Sequence, residues 1–257
     1  MDNKKEIDVF RVDAGVGGWV KDHVASEETL ALYVDGRELV TLLYTPPMAI
    51  ELAMGYLLSE GLIASKDDVD SLSLRKGGVL VGLKPGLPKA ETPAARVLTS
   101  GCGGGITFTY PQGVSQIKKL STKVKFSADA ILNVAAAFRK LSPLFEETGG
   151  VHSAALSDGT GFLAFAEDIG RHNAVDKIFG KCLLDGVDVR DKLLYTTGRV
   201  SSEILLKAAK RGVPVIVSRG APTALSLVLA EKLKVTVTGF VRGRRMNVYT
   251  HPERVTV

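Results

Sequence analysis

From residue 173 onward the chain repeats one pattern. A segment with apolar residues at helical spacing (173–184) is followed by a short, strongly apolar run (192–197). The pattern recurs as 202–211 then 213–218, and as 223–233 then 235–240, and a polar strand closes near Thr250. Short β-rich runs that alternate with amphipathic helices point to strands joined by helical crossovers. The expectation is an α/β fold with a mostly parallel sheet and helices on both faces. Just before the alternation, "HSAALSD" and "GFLAFAED" read as two short strands around an Asp-Gly turn, and residues 127–141 read as a helix with Ser127 as its N-cap.

The turns after these strands share a composition. The first holds Ile169, Gly170, Arg171 and His172. The second holds Gly198, Arg199, Val200, Ser201 and Ser202, and the third Arg219, Gly220, Ala221 and Pro222. The fourth holds Val241, Arg242, Gly243, Arg244 and Arg245. The carboxyl ends of parallel strands share one edge, where α/β sheets bind ligands. Helix N-termini there offer unpaired N–H groups, glycine admits close backbone approach, and arginine forks onto phosphate oxygens. The four turns together predict a phosphate or pyrophosphate site, although some of these arginines can instead pair with Glu167, Asp168 or Glu203. No GxxxxGK[ST] and no GxGxxG after the first strand of a βαβ unit occurs, so neither a P-loop nor a Rossmann site is expected.

Net charge enters here. The chain carries +5 at pH 7, with a pI near 9.1, yet only 6% of its residues are aromatic. Without an aromatic and basic stripe to stack bases, a phosphate-bearing small molecule is a better match than nucleic acid. The opening "MDNKKEIDVF" is charged, and no run of about 18 apolar residues follows, so neither a secretory signal nor a membrane span is expected.

The 257 residues contain two cysteines, Cys102 and Cys182. This excludes a disulfide framework and suits a reducing, cytoplasmic setting. Cys182 falls on the apolar face of the helix at 173–184 and reads as a core residue. Cys102 lies in "TSGCGGG", among glycines. Glycine-rich backbone can curl its N–H groups inward to stabilise a thiolate or persulfide, and it lets a loop swing; the other reading is a surface thiol in a loose turn. His152 opens a strand. It is followed by Ser153 and Ala154, and no C-x-x-C occurs, so a zinc deaminase centre is not expected.

The first half reads as strands around one helix. Residues 30–45 and 69–84 are hairpins, the first turning at Asp35 and Gly36. Between them "PPMAIELAMGYLLSEGLI" is a helix, apolar nearly all round, that ends before Gly61.

Several long segments resemble the FdhD/NarQ family of sulfur carrier proteins for formate dehydrogenase: "EDIGRHNAVDKIFG", "TGRVSSEILLKAAKRGVPVIVSRGAPT", "GFVRGRRMNVYTHPERV", "ELAMGYLLSEGLI" and "TSGCGGG". The resemblance implies a three-layer, cytidine deaminase-like C-terminal domain without zinc (residues 123–257). It also implies a smaller α+β N-terminal domain carrying the Cys102 loop (residues 1–122). The implied activity is that of a sulfurtransferase. Cys102 takes sulfur from a cysteine desulfurase as a persulfide and passes it to the bis-molybdopterin guanine dinucleotide cofactor of the formate dehydrogenase apoenzyme. The family's cofactor-binding stretch matches Phe240, Val241, Arg242, Gly243, Arg244 and Arg245. Arg171, His172, Arg199, Ser201 and Arg219 join it as candidate contacts, with guanine nucleotides as mimics. A homodimer is implied too. One departure is Gly105, which stands where many members carry a second loop cysteine. That rules out an intraloop dithiol but leaves a single-cysteine relay, which needs only one attacking thiolate. It also keeps open a second reading, a chaperone that binds and delivers the cofactor without carrying sulfur.

Overall fold

The computed structural model describes residues 2–87, 97–98 and 117–257. Cys102 and its glycines lie outside them. The N-terminal part opens with a hairpin of β1 (Lys4–Asp13) and β2 (Val16–Ala25). A second hairpin, β3 (Glu28–Val34) and β4 (Arg37–Tyr44), turns at Asp35 and Gly36, both with positive φ as a two-residue hairpin turn requires. α1 (Ala49–Glu60) follows, ended by Gly61 at φ 80°. β5 (Val69–Arg75), β6 (Gly78–Leu83) and β7 (Val97–Leu98) complete a five-stranded sheet in the order β5-β6-β3-β4-β7.

The C-terminal part begins with β8 (Phe126–Ser127) and α2 (Ala128–Phe138), where the Ser127 hydroxyl accepts from the amide of Ala130 as the N-cap. A short helix α3 (Pro143–Thr148) leads to the pair β9 (His152–Ser157) and β10 (Phe162–Asp168). Three crossovers follow: α4 (Arg171–Asp185) to β11 (Leu193–Thr196), α5 (Ser202–Lys210) to β12 (Val215–Ser218), and α6 (Ala224–Leu233) to β13 (Thr236–Arg242). β14 (Arg245–Thr250) and β15 (Val255–Thr256) end the chain. No helix among the described residues is long and apolar enough to cross a membrane.

The expectation of a mostly parallel sheet is corrected here. The six-stranded sheet runs β10-β9-β11-β12-β13-β14, and only its β11–β12 and β12–β13 pairings are parallel. β9 is antiparallel to both its neighbours, and β14 to β13. The cause is connection length. Only residues 158–161 join β9 to β10, tied by Asp158 accepting from the amides of Thr160 and Gly161. So short a link can only reverse the strand, whereas a parallel neighbour needs a crossover. The edge argument survives, because β10 is antiparallel to β9 and β9 to β11. The carboxyl ends of β10, β11, β12 and β13 therefore lie on one side.

Alternation along the strands sorts the core. Leu193, Tyr195, Val215 and Val217 pack with Ile131, Val134 and Phe138 of α2 on one face. Leu194 and Ile216 pack on the other with α4, α5 and α6, in a core that continues through α1 into β3 and β4. α1 and α4 cross at two glycines. A Cβ on Gly55 would sit 1.8 Å from the Asp176 carbonyl oxygen, and one on Gly180 1.8 Å from that of Glu51. No side chain fits at either position.

Candidate functional site

The predicted edge is built by backbone bonds from turn to turn. The amide of Arg219 donates to the Thr196 carbonyl at 3.2 Å, and that of Val200 to Ala221 at 3.1 Å. The amide of Thr223 donates back to Val200 at 3.0 Å, and that of Phe240 to Gly220 at 3.0 Å. The second, third and fourth turns are thus laced together. The first joins them by close packing. A Cβ on Gly198 would meet that of Arg171 at 2.9 Å, and one on Gly220 would press on the Gly198 carbonyl at 3.3 Å. Glycine at these places is what lets the turns converge.

Four of the predicted residues come together above α4 and α5. Arg171 and His172 open α4, whose N-cap Gly170 supplies no side-chain acceptor. Ser201 caps α5, its hydroxyl accepting from the amide of Ile204. His172 Nε2 stands 3.4 Å from Ser201 Oγ and 3.0 Å from Glu203 Oε2. That imidazole holds the Glu203 carboxyl below its usual range. Arg199 is exposed on the second turn. Neither Arg171 nor Arg199 has a carboxylate partner among the described residues, and the Nε of Arg171 is buried without any hydrogen-bond partner. A buried donor left unpaired is costly, and an anion would satisfy it.

The remaining residues stand apart from this group. Arg219 is exposed, and its charge acts on Tyr195, which packs toward α2. Phe240, at φ 53°, lies within an irregularity of the β13–β14 pairing between Gly239 and Arg242. Val241 is buried, and Arg242, Gly243, Arg244 and Arg245 are exposed at the hairpin tip, where Arg242 faces Arg245. Arg244 lies 3.9 Å from Asp129 of α2 with both side chains in solvent, which contributes little. The arginines therefore divide between the α4–α5 side of the edge and the α2 side.

One group at the edge carried no sequence signal. His152 opens β9, half-buried, with Nδ1 3.4 Å from Thr197 Oγ1. Burial, then the charges of Arg171, His172 and Arg199, hold its pKa below the usual histidine value. A lone histidine at a strand start has no pattern to betray it; only the β9–β11 pairing brings it beside the arginine turns.

Cys182 is the core residue expected. It is buried on α4, and burial pushes its thiol up to about 12. It lines a cleft of about 420 Å³ with Phe179, Val189 and Arg211, at the opposite edge of the sheet.

The family model described as FdhD/NarQ matches residues 25–256. The chain belongs to the FdhD/NarQ family. It is 43% identical over 251 residues to the sulfur carrier protein FdhD of Bacillus subtilis (strain 168), covering 96% of each chain. It is 40% identical over 250 residues to the sulfur carrier protein FdhD of Staphylococcus haemolyticus (strain JCSC1435), covering 96% of this chain and 95% of that one. A crystal structure assigned as a formate dehydrogenase accessory protein from Desulfotalea psychrophila superposes with a TM-score of 0.81 at 25% identity, over 99% of this chain and 100% of that one. The FdhD/NarQ match begins at the end of β2, so the β1–β2 hairpin precedes the family region. All four arginine turns lie inside it.

Proposed function

We propose that the chain is a sulfur carrier that serves formate dehydrogenase, with Cys102 as the sulfur-bearing residue. In this reading Cys102 thiolate attacks the outer sulfur of a cysteine desulfurase persulfide, and the desulfurase thiolate leaves. The metal centre of the bis-molybdopterin guanine dinucleotide, held as cargo for the formate dehydrogenase apoenzyme, then takes the outer sulfur with an electron pair of its own, the S–S bond breaks and the Cys102 thiolate leaves. The pyrophosphate of that dinucleotide lies at the arginine edge, with Arg171 and Arg199 as anion donors and Arg219, Arg242 and Arg245 along the α2 side. The observation that carries the reading is the edge itself: three turns bonded together with the first packed against them, and Arg171 and Arg199 in no ion pair among the described residues. The relatives' name, sulfur carrier protein FdhD, supports the activity. A cytidine deaminase-like C-terminal domain divided from the rest near residues 122–123, a homodimer and a cytoplasmic setting belong to the same reading.

The placement of β7 supports a role for the cysteine near this edge. Leu98, four residues before Cys102, runs parallel to β4, and β4 leads to Thr45, whose amide donates to Asp168 at 3.1 Å. Asp168 ends β10, directly before the first arginine turn.

The test is a mass spectrum after incubation with a desulfurase and cysteine. One added sulfur on the Cys102 peptide, and formate dehydrogenase activation lost in Cys102→Ser with guanosine diphosphate binding intact, is the expected result. Gly105 at the second cysteine position keeps a second reading in play, a chaperone that delivers the cofactor. Activation that survives Cys102→Ser establishes the chaperone instead.

A further inference from the structure

The inference rests on the pyrophosphate reading of the arginine edge and adds a proton to it. We propose that His152 takes up a proton when the anion binds, so that the site meets a pyrophosphate dianion with an imidazolium beside Arg171 and Arg199.

The hydrogen bonds around Thr197 set the starting state. The Thr197 hydroxyl accepts from the Ser153 amide at 3.0 Å, and its one proton has two acceptors at 3.4 Å, the Ser153 carbonyl and His152 Nδ1. In the proposed starting state that proton goes to the carbonyl, so Thr197 only accepts from the imidazole, His152 Nδ1 carries the ring proton and Nε2 is a lone pair. No described residue donates to that lone pair.

The charges facing the ring come from every element packed around it. α4 presents Arg171 and His172, and the β11–α5 turn presents Arg199. The carboxylates nearby are already committed. Asp168, opposite His152 in the β9–β10 register, pairs with Lys177 and accepts from Asn173. Glu203 pairs with His172. Glu167 accepts from the amides of Leu144 and Phe145. Among the described residues the ligand-free ring faces cations and no uncommitted carboxylate, and a further positive charge is opposed.

A pyrophosphate diester brings two negative charges and reverses that balance. A bare lone pair against a phosphate oxygen is repulsive, whereas a protonated Nε2 gives a charge-assisted donor. The proton comes from the buffer acid, whose bond to it breaks as the Nε2–H bond forms, and no bond between heavier atoms changes.

Diguanosine pyrophosphate, two guanosines joined 5′ to 5′, is the probe, because its phosphates are fixed monoanions that do not titrate near neutrality. Calorimetry of the full chain in two buffers of different ionisation enthalpy gives the proton count directly. The expected result near pH 7 is an uptake of about one proton per ligand, with affinity rising up to about tenfold per pH unit as pH is lowered. His152→Gln should bind more weakly and take up no proton. Binding without uptake by the wild-type chain overturns the proposal and leaves the phosphate site standing; the ring would then have turned its tautomer, with Thr197 donating to Nδ1. Uptake that persists in His152→Gln also overturns it and moves the proton to His172. No binding at all removes the pyrophosphate reading and this inference with it. If His152→Gln does not fold, NMR titration of the four imidazoles in the wild-type chain, with and without the dinucleotide, replaces it. The ring with the low free pKa must rise on binding, and its failure to rise overturns the proposal.

Discussion

Two charged regions meet at the start of α4 and follow opposite rules. In the seam between α4 and the N-terminal part, the buried carboxylates Asp168 and Asp176 each hold a lysine. Lys177, 1% exposed, lies 2.7 Å from Asp168 and donates to the carbonyls of Thr45 and Glu167. Asp168 also accepts from the amides of Thr45 and Gly170 and from Asn173. One turn along, Asp176 holds Lys207 and accepts from the Ser59 hydroxyl at 2.6 Å. On the arginine edge, a few residues away, neither Arg171 nor Arg199 makes an ion pair among the described residues. Buried charges are tolerated when paired and hydrogen-bonded, as the two carboxylates of the seam are. In the proposed reading an anion completes the unpaired edge, and partnership, not charge, separates the seam from the edge.

The largest effect that tests this contrast belongs to the seam. Lys177→Met leaves Asp168 buried without its cation and should cost about 3–5 kcal/mol in urea unfolding. Asp168→Asn in the same chain should recover part of the loss. Arg171→Met breaks no ion pair and should stay within about 0.5 kcal/mol of wild type, or gain stability. Equal losses at Lys177 and Arg171 would erase the distinction. Gly180→Ala comes next. Its new methyl would press on the Glu51 carbonyl, and overpacking of this kind costs about 1–3 kcal/mol, more where the backbone must part.

The sequence alone could not draw this contrast, because both regions share one segment. "EDIGRHNAVDKIFG" holds Asp168, Asn173, Asp176 and Lys177 of the seam beside Arg171 and His172 of the edge. Helical spacing identifies the face of Cys182, but it cannot say which polar residue meets a partner 120 residues away. The elements themselves were largely legible. Asp35 and Gly36, Gly61, and Ser127 announced a turn, a helix end and a helix start by local chemistry alone. The β1–β2 hairpin was not seen. Its apolar residues Phe10, Val12, Val16 and Trp19 are all exposed, so no buried face imposes alternation, and Ala14 occupies a turn position where Asn or Asp would have given a signal. Sheet direction was misjudged because helix–strand alternation dominates the second half, while two short links set the antiparallel edges.

Ligand binding gives an intermediate effect and sharpens the edge's side of the contrast. Arg171→Gln and Arg199→Gln should each weaken guanosine diphosphate by about 1.5–3 kcal/mol, the scale of a charge-assisted bond. Arg242→Ala and Arg245→Ala report on the α2 side of the edge in the same assay, and lysine should rescue any of these only in part. Wild-type affinity should fall as salt rises. Adenosine diphosphate serves as the control. Equal affinity for the two nucleotides would mean that the edge reads phosphate alone, and the guanine assignment would be withdrawn.

The smallest effect is a slope. In the ligand-free chain, burial and the neighbouring cations hold the His152 pKa below its unfolded value near 6.5. Above that pH the ring is neutral in both folded and unfolded states and contributes no pH dependence. As pH falls through about 6.5 the unfolded chain takes up the proton first, so the folded state loses stability until its own, lower pKa is reached. The difference between wild type and His152→Gln should therefore move against the wild type as pH drops from 7.5 to 5.5, read as urea midpoints. Added salt screens the surrounding cations and should flatten the trend. A difference that instead moves in favour of the wild type on acidification means that His152 is held charged by an anionic partner. The edge would then be a second seam, closed on itself, with no charge left over for a ligand.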